Sequence, residues 1–220
     1  MKRSASNLFS SQDSQRIEAA IAEAEKLTSG EIVPYAVSSS DEYEEALWRA
    51  GILLGAFTLG VFVAIHNFST SWQTFELVQV AAATLGASLA GVLFARYWQS
   101  ATRFFAGRDT IQRRTMQRAM EAFLAEEVFK TRDRTGILLF LSLLEHKVIV
   151  MGDSGINAMV KQEEWDHVVK RIVDGIRSDK TADGLIEAIR ECGELLKRQG
   201  VTIKADDANE LSNKMRSMDR

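Results

Sequence analysis

Few residues in this 220-residue chain combine reactive chemistry with a position that could expose it. Glu145 and His146 lie between two apolar runs of strand length, 136–143 and 147–151, and therefore at a predicted hairpin turn. A carboxylate beside an imidazole can exchange protons or bind a metal ion. The turn is one candidate functional loop, with an ordinary solvated turn as the alternative.

A second candidate loop, Gly152-Asp153-Ser154-Gly155, directly follows the second apolar run. Glycine lets the backbone approach a bound ion closely, whereas a simple helix cap at Asp153 explains the same residues. Glu31 and Asp133 are expected at one end of the sheet, as a carboxylate pair or as two solvated side chains. The candidate functional residues are Glu31, Asp133, Glu145, His146, Asp153 and Gly155, of which Asp133, Glu145, His146 and Asp153 are the candidate metal ligands. The catalytic residues stay unknown.

Several classes of function are disfavoured. The chain has no phosphate-binding loop, dinucleotide fingerprint, nucleophile elbow, zinc-binding helix motif or kinase motif set. The single cysteine, Cys192, excludes an intrachain disulfide and a multi-cysteine metal site, and its place on an apolar helical stripe indicates core packing. A net charge of -3, with no basic and aromatic patch clear of the membrane, argues against nucleic acid as a partner.

The elements that must position these residues form two groups. A helix beginning at Ser10-x-x-Asp13 leads to a strand at Glu31–Val37, with Gly30 as the expected helix stop and Pro34 indicating an edge strand. Later come a helix over about 109–130, with its stripe from Met116 to Val128, then the two strands, then two amphipathic helices. The region from about residue 200 is predicted to be polar and mobile.

Neither group has enough elements to close a core alone, so the two must pair. The predicted fold class is α/β, a small sandwich of a central β-sheet flanked by helices, with an inserted two-helix transmembrane hairpin. The predicted division is 10–45 and 99–199 for the two parts of the α/β domain, 46–98 for the hairpin, and 200–220 for the polar tail.

The hairpin is predicted from an uneven distribution of charge. Between Ala50 and Ala95 the only charged side chain is Glu76. The apolar stretches, about 47–65 and 77–95, are each close to the length needed to cross a bilayer core of about 30 Å. Two buried helices of a soluble protein are the alternative, but the rest of the chain is too short to cover both.

The residues flanking the apolar stretches predict an orientation. Aromatic side chains occur at their ends: Trp48, Phe68, Trp72, Phe75, Tyr97 and Trp98. The connector has no lysine or arginine, whereas arginines follow the second stretch: Arg96, Arg103, Arg108, Arg113, Arg114 and Arg118. Positive residues stay inside, so we expect an integral protein of the inner or cell membrane with both termini cytoplasmic.

Small residues in the two stretches indicate how they pack. Gly51 and Gly55 are four residues apart, as are Ala87 and Gly91, and such spacing lets helix backbones approach closely. The direct interpretation is an antiparallel hairpin. A homo-oligomer formed through a remaining face is a further hypothesis.

Three segments resemble the TPM domain family, named after thylakoid-lumen, photosystem II repair and nematode receptor-associated members. They are Ser29-Gly30-Glu31-Ile32-Val33, Arg134-Thr135-Gly136-Ile137-Leu138-Leu139 and Lys147–Gly155, and the resemblance covers about 12–39 and 109–198. It implies a small α/β sandwich, with Glu31, Gly136, Gly152 and Gly155 at matched positions. It also implies the family's range of activities: binding of a divalent cation such as Ca²⁺ or Mg²⁺, weak acid phosphatase activity, or assembly and repair of membrane complexes.

The function expected from the sequence is a non-enzymatic interaction or complex-assembly module. It is held in the lipid bilayer with its TPM-like domain at the cytoplasmic face, where a membrane or cytoplasmic protein is the expected partner. The alternative is a divalent-metal-dependent phosphatase acting at the membrane through the candidate loops.

Overall fold

The computed structural model describes residues 4–68, 75–203 and 209–219. The chain divides into two compact units, one formed by Met1–Asp41 with Arg114–Arg220 and the other by Glu42–Arg113. The helices are, in chain order, α1 Ser11–Glu25, α2 Glu44–Phe68, α3 Leu77–Tyr97, α4 Gln99–Ala106, α5 Arg108–Ala125, α6 Ser154–Asn157, α7 Gln162–Arg177 and α8 Thr181–Arg198.

The first unit is built on a sheet with the strand order β3-β2-β1-β4. Its strands are β1 Glu31–Val37, β2 Gly136–Ser142, β3 Lys147–Gly152 and β4 Arg216–Met218. Strand β1 is parallel to both β2 and β4, while β3 is antiparallel to β2. Glu31 pairs with Gly136, so β1 and β2 begin at the same end of the sheet.

Helices cover both faces of this sheet. Alternate strand residues, such as Ile32 and Leu139, pack with α1, α7 and α8 on one face. The intervening residues, such as Val33 and Phe140, pack with α5 on the other. Burial on both faces explains why β2 is a continuous apolar run rather than an alternating one. The predicted α/β sandwich is therefore confirmed.

The start of α1 follows the sequence signal, but its end does not. The side-chain oxygen of Ser10 accepts from the Asp13 backbone N–H at 3.0 Å, and the Asp13 carboxylate accepts from the Ser10 N–H at 3.2 Å. The helix ends at Glu25, so Gly30 does not stop it, and the φ of Gly30 is not positive. Gly30 instead lies where a side chain would collide with Leu196 of α8.

Two expectations about the sheet were wrong. Pro34 indicated an edge strand, yet β1 lies between β2 and β4, and β4 pairs only with Tyr35–Val37, directly after the proline. The region from about residue 200 was expected to be mobile and without an element, yet it supplies β4. Strand β4 is only three residues long and is not an apolar run, so nothing in the local sequence predicts it.

Helix α5 also differs from its prediction. It ends at Ala125 rather than near 130, and a short 3₁₀ turn at Val128–Lys130 follows. The expected apolar stripe is only partly buried, because Met120 and Leu124 are 50% and 62% exposed. Small residues of α5, including Ala119 and Ala122, contact the sheet instead. Met120 and Leu124 are left facing outward.

In the second unit, α2 and α3 pack as a helical hairpin around small residues. A side chain at Gly51 would lie 2.9 Å from the Ser88 carbonyl oxygen, and one at Gly91 would lie 2.7 Å from the Ala50 carbonyl oxygen. A side chain at Gly55 would collide with that of Ser88. Ala87 is half-buried on α3. The predicted stretches fall within α2 and α3, and Trp72 lies outside the described residues.

Both hairpin helices are long and apolar enough to cross a membrane. Large apolar side chains point away from the hairpin contact, among them Ile52 at 66% and Phe57 at 69% exposure. Helix α4 packs against this pair, and Nη1 of Arg49 donates to the carbonyl oxygens of Phe105 and Ala106 at 3.1 and 3.3 Å. These carbonyls lie at the C-terminal end of α4, where the helix leaves them without internal partners.

Candidate functional site

The sheet divides the six candidate residues between its two ends. Asp153 and Gly155 follow β3, close to the starts of β1 and β2, where Glu31 and Asp133 also lie. Glu145 and His146 are in the β2–β3 turn, at the far end of β2. Since β2 has seven residues, the two groups are separated by about 20 Å. The candidate residues therefore lie in two separate places on the sheet rather than in one.

Asp153, at the end of the sheet where β1 and β2 begin, holds neighbouring loops in place. It is 5% exposed, and its Oδ1 accepts from the Ser154 backbone N–H at 2.6 Å, which caps α6. The Arg134 guanidinium holds the same carboxylate, with Nη2 at 3.0 Å from Oδ1 and Nε at 2.7 Å from Oδ2. Gly155 donates its N–H to the Arg134 carbonyl oxygen at 3.1 Å. These contacts fix the loop that carries Asp133 against the start of α6.

Glu31 is buried near this loop and binds the backbone of the C-terminal region. Its carboxylate oxygens accept from the N–H groups of Glu210 and Leu211 at 3.1 and 3.4 Å. Arg132 donates its backbone N–H to the Glu210 carboxylate at 3.0 and 3.1 Å. The candidate carboxylate at Glu31 thus anchors the segment that leads to β4.

Glu25 is a neighbouring carboxylate that the sequence analysis did not single out. It accepts from the Ile32 N–H at 3.3 Å and from the Asn213 side chain at 2.7 Å. Burial, followed by the negative charge of Glu31, raises the pKa of Glu25 to about 7. No motif includes Glu25, which lies in an ordinary charged stretch at the end of α1, so only the fold reveals the pair.

At the far end, Glu145 joins the β2–β3 turn to the segment after β1. It is 5% exposed, and its carboxylate accepts from the Ser40 backbone N–H at 2.8 Å and from the Ser142 hydroxyl. The hydroxyls of Ser40 and Ser142 lie 2.8 Å apart. His146 is exposed, with a φ of +53° in the turn. The buried Glu145 carboxylate therefore accepts hydrogen bonds that fix the β2–β3 turn.

The predicted metal ligands do not form a ligand set. Within residues 4–68, 75–203 and 209–219, no group of three or more histidine, cysteine, aspartate and glutamate side chains is placed to hold an ion. Of the four predicted ligands, Asp133 and Asp153 lie at one end of the sheet, and Glu145 and His146 lie at the other. Cys192 is fully buried in α8, and burial raises the pKa of its thiol, which fits the predicted core position.

A groove along the outer edge of β3 is a feature that sequence analysis missed. It has a volume of about 420 Å³. Its floor is β3, and its walls include Met116 of α5 together with Trp165, Asp166 and Val169 of α7. The sequence did contain one signal for this groove. The predicted β2–β3 hairpin is not followed by a further strand, and such a hairpin leaves the outer edge of its second strand open.

Comparisons with known proteins identify the class of domain. The chain resembles in fold the BA42 protein from the psychrophilic bacterium Bizionia argentinensis, whose NMR structure aligns over 94% of each chain with 18% identity and a TM-score of 0.56. That likeness concerns the fold alone. The family model of the TPM domain matches residues 102–195, so the resemblance seen in the sequence is confirmed over this part of the chain. No curated protein matches the chain.

Proposed function

We propose that this protein is an integral membrane protein whose TPM domain serves as a non-enzymatic interaction module at the cytoplasmic face. In this role it assembles or maintains a complex with a membrane or cytoplasmic protein. The observation that carries the proposal is the outward-facing apolar stripe of α5, where Met120 and Leu124 are at least half exposed on a well-packed domain. Met120 and Leu124 are four residues apart and so adjacent on the helix surface, and contiguous exposed apolar groups are typical of protein contact surfaces.

The site geometry favours binding over catalysis. Asp153 and Glu145 are buried and accept hydrogen bonds from neighbouring backbone and side-chain groups. Their contacts hold loops in place rather than leave a carboxylate directed at a substrate. No specific observation favours the phosphatase alternative.

The membrane part of the proposal is supported by α2 and α3. Each is long enough to span the apolar core, and each carries large apolar side chains outside the hairpin contact. The arginines after α3 and the absence of lysine and arginine in the connector support cytoplasmic termini. A reporter fused at the C-terminus tests the orientation, with fluorescence of a cytoplasmic reporter expected and activity of a periplasmic or extracellular reporter contradicting it.

The interaction is tested by replacing the exposed apolar stripe. We expect the Met120→Ser and Leu124→Ser double variant, purified from native membranes, to recover its partner about tenfold less well than the unaltered protein. The matched control is the Leu27→Ser and Met159→Ser double variant, because these side chains are also exposed but lie outside α5. Equal recovery by both double variants, or recovery of no other protein, contradicts the proposal.

Catalysis is tested separately with purified protein and an aryl phosphate in the presence of Mg²⁺ or Ca²⁺. We expect phosphate release equal to the protein-free blank. Release that is abolished by Asp133→Asn would contradict the non-enzymatic role.

A further inference from the structure

The outer edge of β3 presents backbone groups that point away from the sheet. Asp153 donates its N–H to the Gly136 carbonyl oxygen at 2.9 Å, and this pair fixes the alternation of hydrogen bonds between β3 and β2. The backbone N–H and C=O groups of Val148 and Val150 therefore point toward the open edge. Among the described residues, only β2 pairs with β3. An extended chain that pairs with both valines becomes a further strand of the sheet.

Asn157 defines one end of this open stretch. Its Nδ2 donates to the Gly152 carbonyl oxygen at 2.6 Å, so that outward group already has a partner. The groups of Val148 and Val150 lie before this point, and the strand KVIVMG contains no proline that would remove a donor. The edge therefore accepts a short extended segment.

The groove has an apolar face on each side of the sheet. Val148 and Val150 pack on the α7 side, and Ile149 and Met151 pack on the α5 side, where Met116 forms part of the wall. In an added strand, residues directly opposite Val148 and Val150 face α7, and the residues between them face α5. The two faces therefore select different side chains of the segment.

The charge in the groove indicates the side chain required on the α7 face. Among the described residues that line the groove, Asp166 of α7 is the only charged one, and it is exposed. No described residue forms an ion pair with its carboxylate. A lysine or arginine opposite Val148 or Val150 faces the same side as Asp166. The intervening residues face Met116 and are expected to be apolar.

A second copy of β3 does not supply this pattern. Its only cation, Lys147, alternates with Val148 and so lies on the α5 face, away from Asp166, when two β3 strands pair antiparallel. A segment of a different protein is therefore the occupant that the groove fits.

The groove is continuous with the exposed stripe of α5. Met116, Met120 and Leu124 are four residues apart in turn, so they are neighbours on the helix surface, and Met116 belongs to the groove wall. A partner that covers Met120 and Leu124 thus reaches the β3 edge as well.

We propose that the protein partner binds β3 through an extended segment in which apolar residues alternate with lysine or arginine. The segment pairs with the backbone of Val148 and Val150 and places a cation beside Asp166. This inference rests on the proposed function, because it states how the partner that contacts the α5 stripe is recognised.

Peptide binding to the full-length protein, held in phosphatidylcholine nanodiscs, tests the proposal. The probe is a synthetic peptide of about eight residues in which valine alternates with lysine, and the control peptide has glutamate in place of lysine. We expect the lysine peptide, at about 1 mM, to slow hydrogen exchange of the Val148 and Val150 amides at least about tenfold. The glutamate peptide is expected to have no effect. The Ile149 amide, which points toward β2, is the internal reference.

Two variants locate the binding. Val150→Pro removes an outward N–H that forms no bond to β2, a change that an edge strand tolerates, and is expected to abolish the slowing at Val148. Val150→Ala keeps the N–H and is its control. Asp166→Asn is expected to weaken binding of the lysine peptide about fivefold. Its control is Glu163→Gln, an exposed residue of α7 outside the groove.

Circular dichroism of each variant confirms that the fold is retained. Unchanged exchange of Val148 and Val150 with the lysine peptide overturns the inference. Equal slowing by the glutamate peptide, or unchanged binding in Asp166→Asn, also overturns it. These outcomes leave the proposed function standing, since that function fails only when the Met120 and Leu124 double variant recovers its partner as well as the control does.

Discussion

The two units of this chain use similar amino acids in opposite ways. In the α/β unit every residue of β2 is buried, including Phe140 at the centre of one face. In the hairpin unit Phe57 is 69% exposed, and many leucine and valine side chains of α2 and α3 are exposed as well. Apolar side chains drive folding only where water is the alternative surrounding. This difference is what the proposed membrane location of the second unit leads us to expect.

The largest expected effect comes from truncating the core of the α/β unit. Phe140→Ala removes a fully buried ring that stacks on Tyr35, with ring centroids 5.9 Å apart. We expect a loss of about 3–5 kcal/mol in the free energy of unfolding of this unit, measured by hydrogen exchange of the β2 amides. The matched change Phe57→Ala in the hairpin is expected to leave β2 exchange unchanged. Faster β2 exchange in Phe57→Ala would show that the comparison between the units is wrong.

A smaller effect is expected from filling the hairpin contact. Gly55→Leu introduces a side chain where Ser88 lies, and overpacking of this kind costs about 1–3 kcal/mol. We expect a larger α2–α3 separation, measured between spin labels on the two helices in detergent. The control is Gly60→Leu, because no atom lies within 4 Å of a side chain added there. Equal separations in both variants would show that Gly55 is not part of a close contact.

The smallest effect concerns the pH dependence of the α/β unit. The pKa of Glu25 is about 7 in the folded protein, above its ordinary value of 4.5, so the folded state holds this proton more tightly than the unfolded state does. The stabilisation is complete below about pH 4.5 and is lost as the pH rises through 7. Glu25→Gln is expected to reduce the fall in stability between pH 5 and pH 8, measured by denaturant unfolding.

Glu23→Gln is the control for that measurement, because Glu23 lies on the same helix with a largely exposed side chain. A slope that Glu25→Gln leaves unchanged would show that Glu25 keeps its ordinary pKa. The hairpin offers no equivalent effect, since the stretch from Ala50 to Ala95 has one charged side chain, Glu76.

Much of the fold was predictable because its main elements have strong local signals. Strands β1, β2 and β3 are apolar runs bounded by turn residues, and the start of α1 has a capping box. The lengths of α2 and α3 follow from uninterrupted apolar composition. In contrast, β4 is three residues long, and only its pairing with Tyr35–Val37 makes it a strand.

The candidate site was less predictable, because its residues are defined by distant partners. Glu31 binds the backbone near residue 210, and Glu145 binds Ser40, each across more than a hundred residues. Spacing along the chain does not encode such contacts. The antiparallel turn after β2 then places Glu145 and Asp153 at opposite ends of the sheet, which a list of chemically suitable residues does not reveal.

The ion pair between Asp41 and Arg114, with Oδ2 and Nε 2.8 Å apart, joins the points where the chain leaves the α/β unit and returns to it. Closing a flexible loop costs only about 0.6 kcal/mol more for each doubling of its length. The free energy of folding of the α/β unit therefore depends little on the length of the segment between Asp41 and Arg114. In evolutionary terms this junction is a place where a segment can be acquired, exchanged or removed, so a relative without any hairpin could keep the same sheet.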